Sequence, residues 1–188
     1  LSEIVNATGL SQPVANKYLG VLSDLKIVER ELPVTEEKPL KSKKGLYRIS
    51  DEFCQFWLRF VFPRRGELEM DGMGAVLKEV KENLPQYLSA VYEKVAVQLL
   101  LKHTDIFFPF TRIGRWWDKG EEIDVVALNP GLNSILFGEV KWTARPVGTD
   151  IYEALKNKAS RVVWGKPGRK EYFCLLSKKG FTPAMSRK

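Results

Sequence analysis

Histidine and cysteine are almost missing from this 188-residue chain: His103 is the only histidine, and Cys54 and Cys174 are the only cysteines. Zinc centres and triads built on histidine are left with a single candidate, His103. Two distant cysteines without a CxxC pair give neither a disulfide framework nor a redox motif. No apolar run approaches the length of a membrane span and no signal peptide is visible, so a cytoplasmic protein with no membrane role is expected. No Gly-x-x-x-x-Gly-Lys-Ser/Thr loop occurs, so this stretch is not expected to bind ATP itself. Internal repeats are absent, and the only biased segment is a lysine-rich loop. The chain begins at Leu1, without methionine, inside what reads as a helix, which points to a fragment of a longer protein.

What is present is ordinary for a globular protein in amount and uneven in charge. Apolar residues make up 44% of the chain and the net charge is +7. Residues 1–50 carry a net +2, residues 51–140 a net −4, and residues 141–188 twelve basic and three acidic side chains, a net +9. A basic C-terminal third beside an acidic cluster suits a polyanionic partner such as DNA.

Three segments are expected. Residues 1–50 read as an N-terminally truncated winged helix-turn-helix. Leu1–Ala7 closes one helix, Thr8-Gly9-Leu10 is the turn, and Ser11 is an N-cap with Pro13 in the first turn of the next helix. Val14, Tyr18, Leu22 and Leu25 recur at helical spacing, widened by Ala15 and Leu19. Ile27–Leu32 and Gly45–Ile49 read as wing strands around a loop carrying Lys38, Lys41, Lys43 and Lys44. In a DNA-binding module of this kind Ser11, Gln12, Asn16 and Lys17 face the major groove. Residues 51–83 read as an aromatic helix ending before Pro63 (Phe53, Phe56, Trp57, Phe60), a linker over 64–74, and a helix over Ala75–Asn83 that breaks at Pro85. The four rings are expected to be covered by packing between modules. Residues 84–188 read as helix, strand (Phe107–Trp117), two strands, helix (Thr149–Val163) and strand (Glu171–Leu176), an α+β order of αβββαβ. Leu88, Val91, Val95 and Leu99 form the stripe of the first of these helices.

The two middle strands carry the chemistry. Gly120 to Leu128 and Ser134 to Trp142 flank Pro130-Gly131, a turn signal. With Asn129 opposite Ser134, opposed residue numbers sum to 263. Leu128 then faces Ile135, Val126 faces Phe137, Asp124 faces Glu139 and Glu122 faces Lys141, all on one face of the sheet. The carboxylates collect at the end far from the turn. Adjacent carboxylates repel, and a divalent cation relieves that repulsion; hard Mg²⁺ (or Mn²⁺) prefers such oxygen donors. Glu122 either joins a second metal or pairs with Lys141 across the strands, and pairing is the expectation here. Arg112, Arg115, Trp116 and Trp117 lie just upstream. They suit a basic stacking rim, with at least one tryptophan expected in the core.

Asp124 followed by Glu139-Val140-Lys141 resembles the motif of the PD-(D/E)XK nuclease superfamily, an acid on one strand and (D/E)-x-K on the next. The resemblance implies a restriction-endonuclease-like core in which Asp124, Glu139 and the Val140 carbonyl hold Mg²⁺ and Lys141 positions or activates water. It also implies a metal-linked Glu93 on the first core helix, and Lys156 and Lys158 directed toward phosphates from the last. Beyond this motif, Leu1-Ser2-Glu3-Ile4, Gly9-Leu10-Ser11, Lys17-Tyr18-Leu19, Val28-Glu29-Arg30, Lys43-Lys44-Gly45-Leu46-Tyr47, Phe56-Trp57-Leu58-Arg59-Phe60, Ile113-Gly114-Arg115-Trp116-Trp117 and Glu139-Val140-Lys141-Trp142-Thr143 are similar to the C-terminal half of archaeal P-loop ATPases. That resemblance implies an ATPase module upstream of Leu1. Three functions compete: a Mg²⁺-dependent nuclease attached to a winged helix, an inactive nucleic-acid-binding module, and a protein-interaction domain regulating the ATPase.

Overall fold

Gly9 ends the first helix, α1 (Ser2–Thr8), in a left-handed conformation (φ 68°) and turns the chain into α2 (Gln12–Asp24). In the computed structural model, which describes residues 1–70 and 72–187, the chain is a mixed α/β protein of two units. One comprises Leu1–Leu32 with Lys38–Tyr87, the other Pro33–Glu37 with Leu88–Lys188.

In the first unit α1 and α2 are followed by an antiparallel hairpin, β1 (Val28–Glu31) and β2 (Leu46–Ile49), with Val28 opposite Ile49 and Glu31 opposite Leu46. Ser11 stands extended at the start of α2 with Pro13 in its first turn, although the Ser11 hydroxyl makes no capping bond. The buried face of α2 is only the widening edge of the expected stripe. Ala15 and Leu19 are buried, while Val14, Tyr18 (58% exposed) and Leu25 face outward. Both stripes are apolar and lie about 100° apart on the helix, so periodicity alone cannot choose between them.

The aromatic segment also departs from expectation. Asp51 caps α3 (Glu52–Phe56) through Cys54 N–H, and the chain continues as a π-helical turn (Trp57–Val61) and a 3-10 turn (Phe62–Arg64) into α4 (Arg65–Glu69). Pro63 therefore begins a turn instead of stopping the helix, as its missing N–H permits. The expected linker at 64–74 contains α4, and its Asp71 lies outside the described residues. Phe56 and Phe60 pack with Tyr87, whose hydroxyl donates to Glu52 O at 2.7 Å. Phe53 (69% exposed) and Trp57 stack on each other at the surface, so only half of the ring group is covered.

Helix α5 (Met73–Lys102) runs through Pro85 without the expected break. Proline removes one ladder bond and costs about 3 kcal/mol in a helix interior. Anchors on both sides offset this: Tyr87 in the first unit, and Ala96 and Leu100 in the core of the second.

The second unit is a four-stranded sheet in the order β3 (Arg112–Asp118), β4 (Glu121–Asn129), β5 (Ser134–Lys141), β6 (Lys170–Ser177). β3, β4 and β5 are antiparallel neighbours; β6 lies parallel to β5 and is reached through α6 (Thr149–Ala159), the crossover that a parallel pair requires. α6 ends at Ala159, four residues short of the expected Val163. A last short helix, α7 (Pro183–Ser186), follows β6. One sheet face packs Val126, Leu128, Ile135 and Phe137 against Leu155, Ala159 and Val162. The other packs Val125, Ala127, Leu136 and Val140 against Ala96, Leu100 and Phe108.

Phe107, Phe108 and Phe110 precede β3 and do not belong to it. Pro109 cannot donate to a ladder, and Phe108 instead plugs the α5-side core, its ring 5.2 Å from that of Tyr172. The α5 stripe is also rotated by one residue, with Ala96 and Leu100 buried and Val95 and Leu99 exposed. That rotation matters, because Glu93 shares the face of Ala96 and Leu100.

Candidate functional site

The β4–β5 register holds at the predicted sum: Asn129 lies opposite Ser134, Leu128 opposite Ile135, Val126 opposite Phe137, and Val125 opposite Gly138. The turn uses Asn129, whose Oδ1 accepts from Leu132 N–H at 3.0 Å, and Asn133 at φ 48°. Gly138 lets the strands approach closely, because a Cβ there would lie 3.0 Å from both Cys174 Sγ and Val125 Cβ. Beyond this pair the backbone ladder stops and a side chain replaces it. Asp124 Oδ2 accepts from Val140 N–H at 2.8 Å, which ties the carboxylate of β4 to the backbone of β5.

Asp124 and Glu139 are 9% and 5% exposed; Glu139 alternates with Phe137 onto the α6 face of the sheet, whereas in β4 alternation is interrupted at Asp124–Val125, so that Ile123 shares the α6-side core with Val126. Lys141 Nζ donates to Glu139 Oε1 at 2.6 Å. Lys158 Nζ lies 3.2 Å from Oε1 and 3.2 Å from Oε2 of the same carboxylate. It is carried there by α6, whose Leu155 and Ala159 are fully buried. Burial pushes the Asp124 carboxyl above its ordinary pKa, and the neighbouring Glu139 charge adds to this; Val140 N–H and the two lysines partly oppose it. Burial pulls Lys141 down, but its hydrogen bond to Glu139 and the charges of Glu139, Asp124 and Glu93 outweigh that, and its pKa is raised.

Glu93 comes to the edge of this cluster, 3.8 Å from Arg115 Nε. Between the pairs Gly114–Val126 and Trp116–Ile123 two residues of β4, Asp124 and Val125, stand opposite Arg115 alone, a bulge in β4, and bulges re-aim side chains. Arg115 therefore reaches both Glu93 and Glu122, the latter at 2.9 Å. This corrects the expected Glu122–Lys141 pair: Glu122 lies opposite Trp117, and the β4–β5 ladder ends before reaching it. Trp116 is core, and Trp117 has the Arg115 guanidinium 6.0 Å from its ring centre. Lys156 stays apart from the cluster, half exposed, 3.8 Å from Glu153 and over the Tyr152 ring.

Sequence reasoning missed Lys178. Its N–H donates to Lys141 O at 3.1 Å, and its Nζ sits 3.9 Å above the centre of the Trp142 ring, which also packs on Tyr92. Its position follows from the parallel β5–β6 register, Lys141 beside Ser177, which no local pattern announces. The Cys174 thiol is pushed up to about 12 by burial, so it stays protonated and is no nucleophile.

In the first unit, Gln12, Asn16 and Lys43 line one cleft of about 580 Å³ together with Asn6, Arg30 and Tyr47. Lys17 and Lys44 are not among its lining residues. Arg30, another residue missed from sequence, staples the hairpin loop by donating to Pro39 O at 3.1 Å and Ser42 O at 2.6 Å. Gly45 leaves room for this guanidinium, since a Cβ there would lie 2.4 Å from Arg30 Nε and push the side chain aside.

Among the described residues, no three His, Cys, Asp or Glu side chains gather as a metal-binding group, and no helix is long and apolar enough to cross a membrane. The oxygen donors at hand are two carboxylates and the Val140 carbonyl. A buried, mutually repelling carboxylate pair of this kind fits a hard divalent cation.

A family model described as archaeal and bacterial proteins of unknown function, DUF234, matches residues 57–161. The chain belongs to this family, and the matched segment contains Glu93, Arg115, Asp124, Glu139, Lys141 and Lys158. It is also similar to an uncharacterized protein of Methanocaldococcus jannaschii, MJECL04, 39% identical over 185 residues, or 95% of this chain. The chain spans 40% of that protein's length. No solved structure matches it.

Proposed function

We propose that the second unit is a Mg²⁺-dependent nuclease core of PD-(D/E)XK type that hydrolyses phosphodiester bonds in DNA. The observation that carries this reading is the convergence of Asp124 from β4 with Glu139 and Lys141 from β5 at one sheet end, joined by the Asp124–Val140 N–H bond. Asp124, Glu139 and the Val140 carbonyl would hold Mg²⁺ or Mn²⁺. When bound, the ion would lower the pKa of water and offset charge building on the phosphate. Lys141 would orient the attacking water, its ammonium already directed by Glu139. Arg115 would meet the phosphate backbone, with Glu93 and Glu122 fixing its guanidinium; a metal-ligand role for Glu93 would require it to leave Arg115. The first unit would be a winged helix whose cleft at Gln12, Asn16 and Lys43 binds DNA, with Lys17 and Lys44 as flanking contacts. An ATPase module would belong to the longer protein.

The test is cleavage of plasmid and branched DNA with Mg²⁺ against EDTA, using Asp124→Asn and Lys141→Ala as controls. Cleavage that needs the metal and is lost in both variants supports the reading; equal cutting by wild type and variants overturns it. A second reading, an inactive nucleic-acid-binding or ATPase-regulating domain, is favoured by one observation: both Glu139 oxygens already carry lysine ammonium groups. Salt-sensitive DNA binding without cleavage across several metals would select it.

A further inference from the structure

We propose that Lys158 is a displaceable internal cation: it competes with the divalent ion for Glu139 and is freed to meet the substrate phosphate when the ion binds. This rests on the metal reading above. The geometry is specific. Glu139 is nearly buried, and Lys158 Nζ lies equidistant from its two oxygens. Lys141 engages Oε1 alone, from the same strand two residues on. Lys158 is thus the ammonium standing at Oε2, and a cation taking that oxygen must move it.

Charge gives the direction. Asp124, Glu139, Lys141 and Lys158 sum to zero. A divalent ion added without displacement would leave a net +2 in a mostly buried space, where like charges repel strongly. Helix α6 is fixed by Leu155 and Ala159, so the lysine side chain moves and the helix does not. Lys158 keeps 24% of its side chain exposed, which gives it a route outward toward bound polyanion. Metal loading is therefore weak alone and stronger beside substrate, which draws Lys158 away from Glu139. Lys156 makes no contact of this kind and serves as an internal control.

The experiment is a Mn²⁺ titration of the whole chain, with free Mn²⁺ read by electron paramagnetic resonance and no turnover involved. Wild type, K158M, K158Q, K158R and K156M are compared, each first checked for cooperative unfolding. K158M and K158Q should bind Mn²⁺ at least about tenfold more tightly than wild type, since an opposing charge is removed from a partly buried site. K158R and K156M should bind like wild type. A non-cleavable phosphorothioate oligonucleotide should tighten Mn²⁺ binding by wild type and have less effect on K158M. Equal Mn²⁺ affinity in wild type, K158M and K158Q overturns the role of Lys158 and leaves the metal site standing. No Mn²⁺ binding by any of the proteins overturns both.

Discussion

Gly138→Ala tests whether the close approach of three strands beside Glu139 is real. The added Cβ would lie 3.0 Å from Cys174 Sγ on β6 and 3.0 Å from Val125 Cβ on β4, closer than relaxed carbon contacts on both sides. Two effects oppose each other. Restricting the unfolded chain gains about 0.4–1 kcal/mol, while overpacking a dense core costs about 1–3 kcal/mol. Val125 is fully buried and cannot retreat, so overpacking wins. The expected net loss is about 1–2 kcal/mol, read by urea denaturation followed by far-UV circular dichroism. Cys174→Ala removes one of the two clashing atoms. A double-mutant cycle should therefore show Gly138→Ala costing less in the Cys174→Ala background, by roughly 0.5–1 kcal/mol. A neutral or stabilising Gly138→Ala with no coupling to Cys174 would refute the packing argument.

Asp124→Asn should raise stability at neutral pH by on the order of 1 kcal/mol, as replacing a strained functional carboxylate often does. The folded-state pKa of Asp124 is raised, so its protonated form is favoured by folding and its ionised form costs stability as pH rises through that value. The advantage of the variant should shrink as pH falls through the raised folded-state value and be gone below about 4, the ordinary aspartate range, and denaturation midpoints across pH would measure it. Phe108→Ala should cost about 3–5 kcal/mol, because the ring is buried between α5 and the sheet; a loss under 1 kcal/mol in the same assay would contradict its assignment to the core. Lys156→Ala should change stability by less than about 0.5 kcal/mol, because its pairing with Glu153 is half exposed.

The hairpin β4–β5 was legible because alternation and a Pro-Gly turn act locally, and register follows from them. That register brought Asp124 close to Glu139 and Lys141, but the ladder ends at Val125–Gly138 and the last step is a bond from Val140 N–H to the Asp124 carboxylate, which no pairing pattern announces. Arg115 could be named as a basic residue but not aimed, since its direction depends on a bulge in β4 opposite it that leaves no mark in composition. The rotation of α5 escaped because Val95 and Leu99 are as apolar as Ala96 and Leu100. Only the shape of the opposing sheet decides which pair turns inward. Lys158 differs from Lys156 for the same reason. The two lysines are two residues apart on one helix, about 200° around its axis, and the burial of Leu155 and Ala159 selects which one meets Glu139. The two α2 stripes show the same limit.

The central claim is that Asp124, Glu139 and the Val140 carbonyl form one divalent-cation site. Anomalous diffraction from crystals soaked in millimolar Mn²⁺ tests it most directly. The account predicts a peak about 2–2.5 Å from the Asp124 and Glu139 carboxylate oxygens and from the Val140 carbonyl, with Lys158 moved off Glu139. An anomalous map with no peak there, and with Lys141 and Lys158 still paired to Glu139, would contradict it.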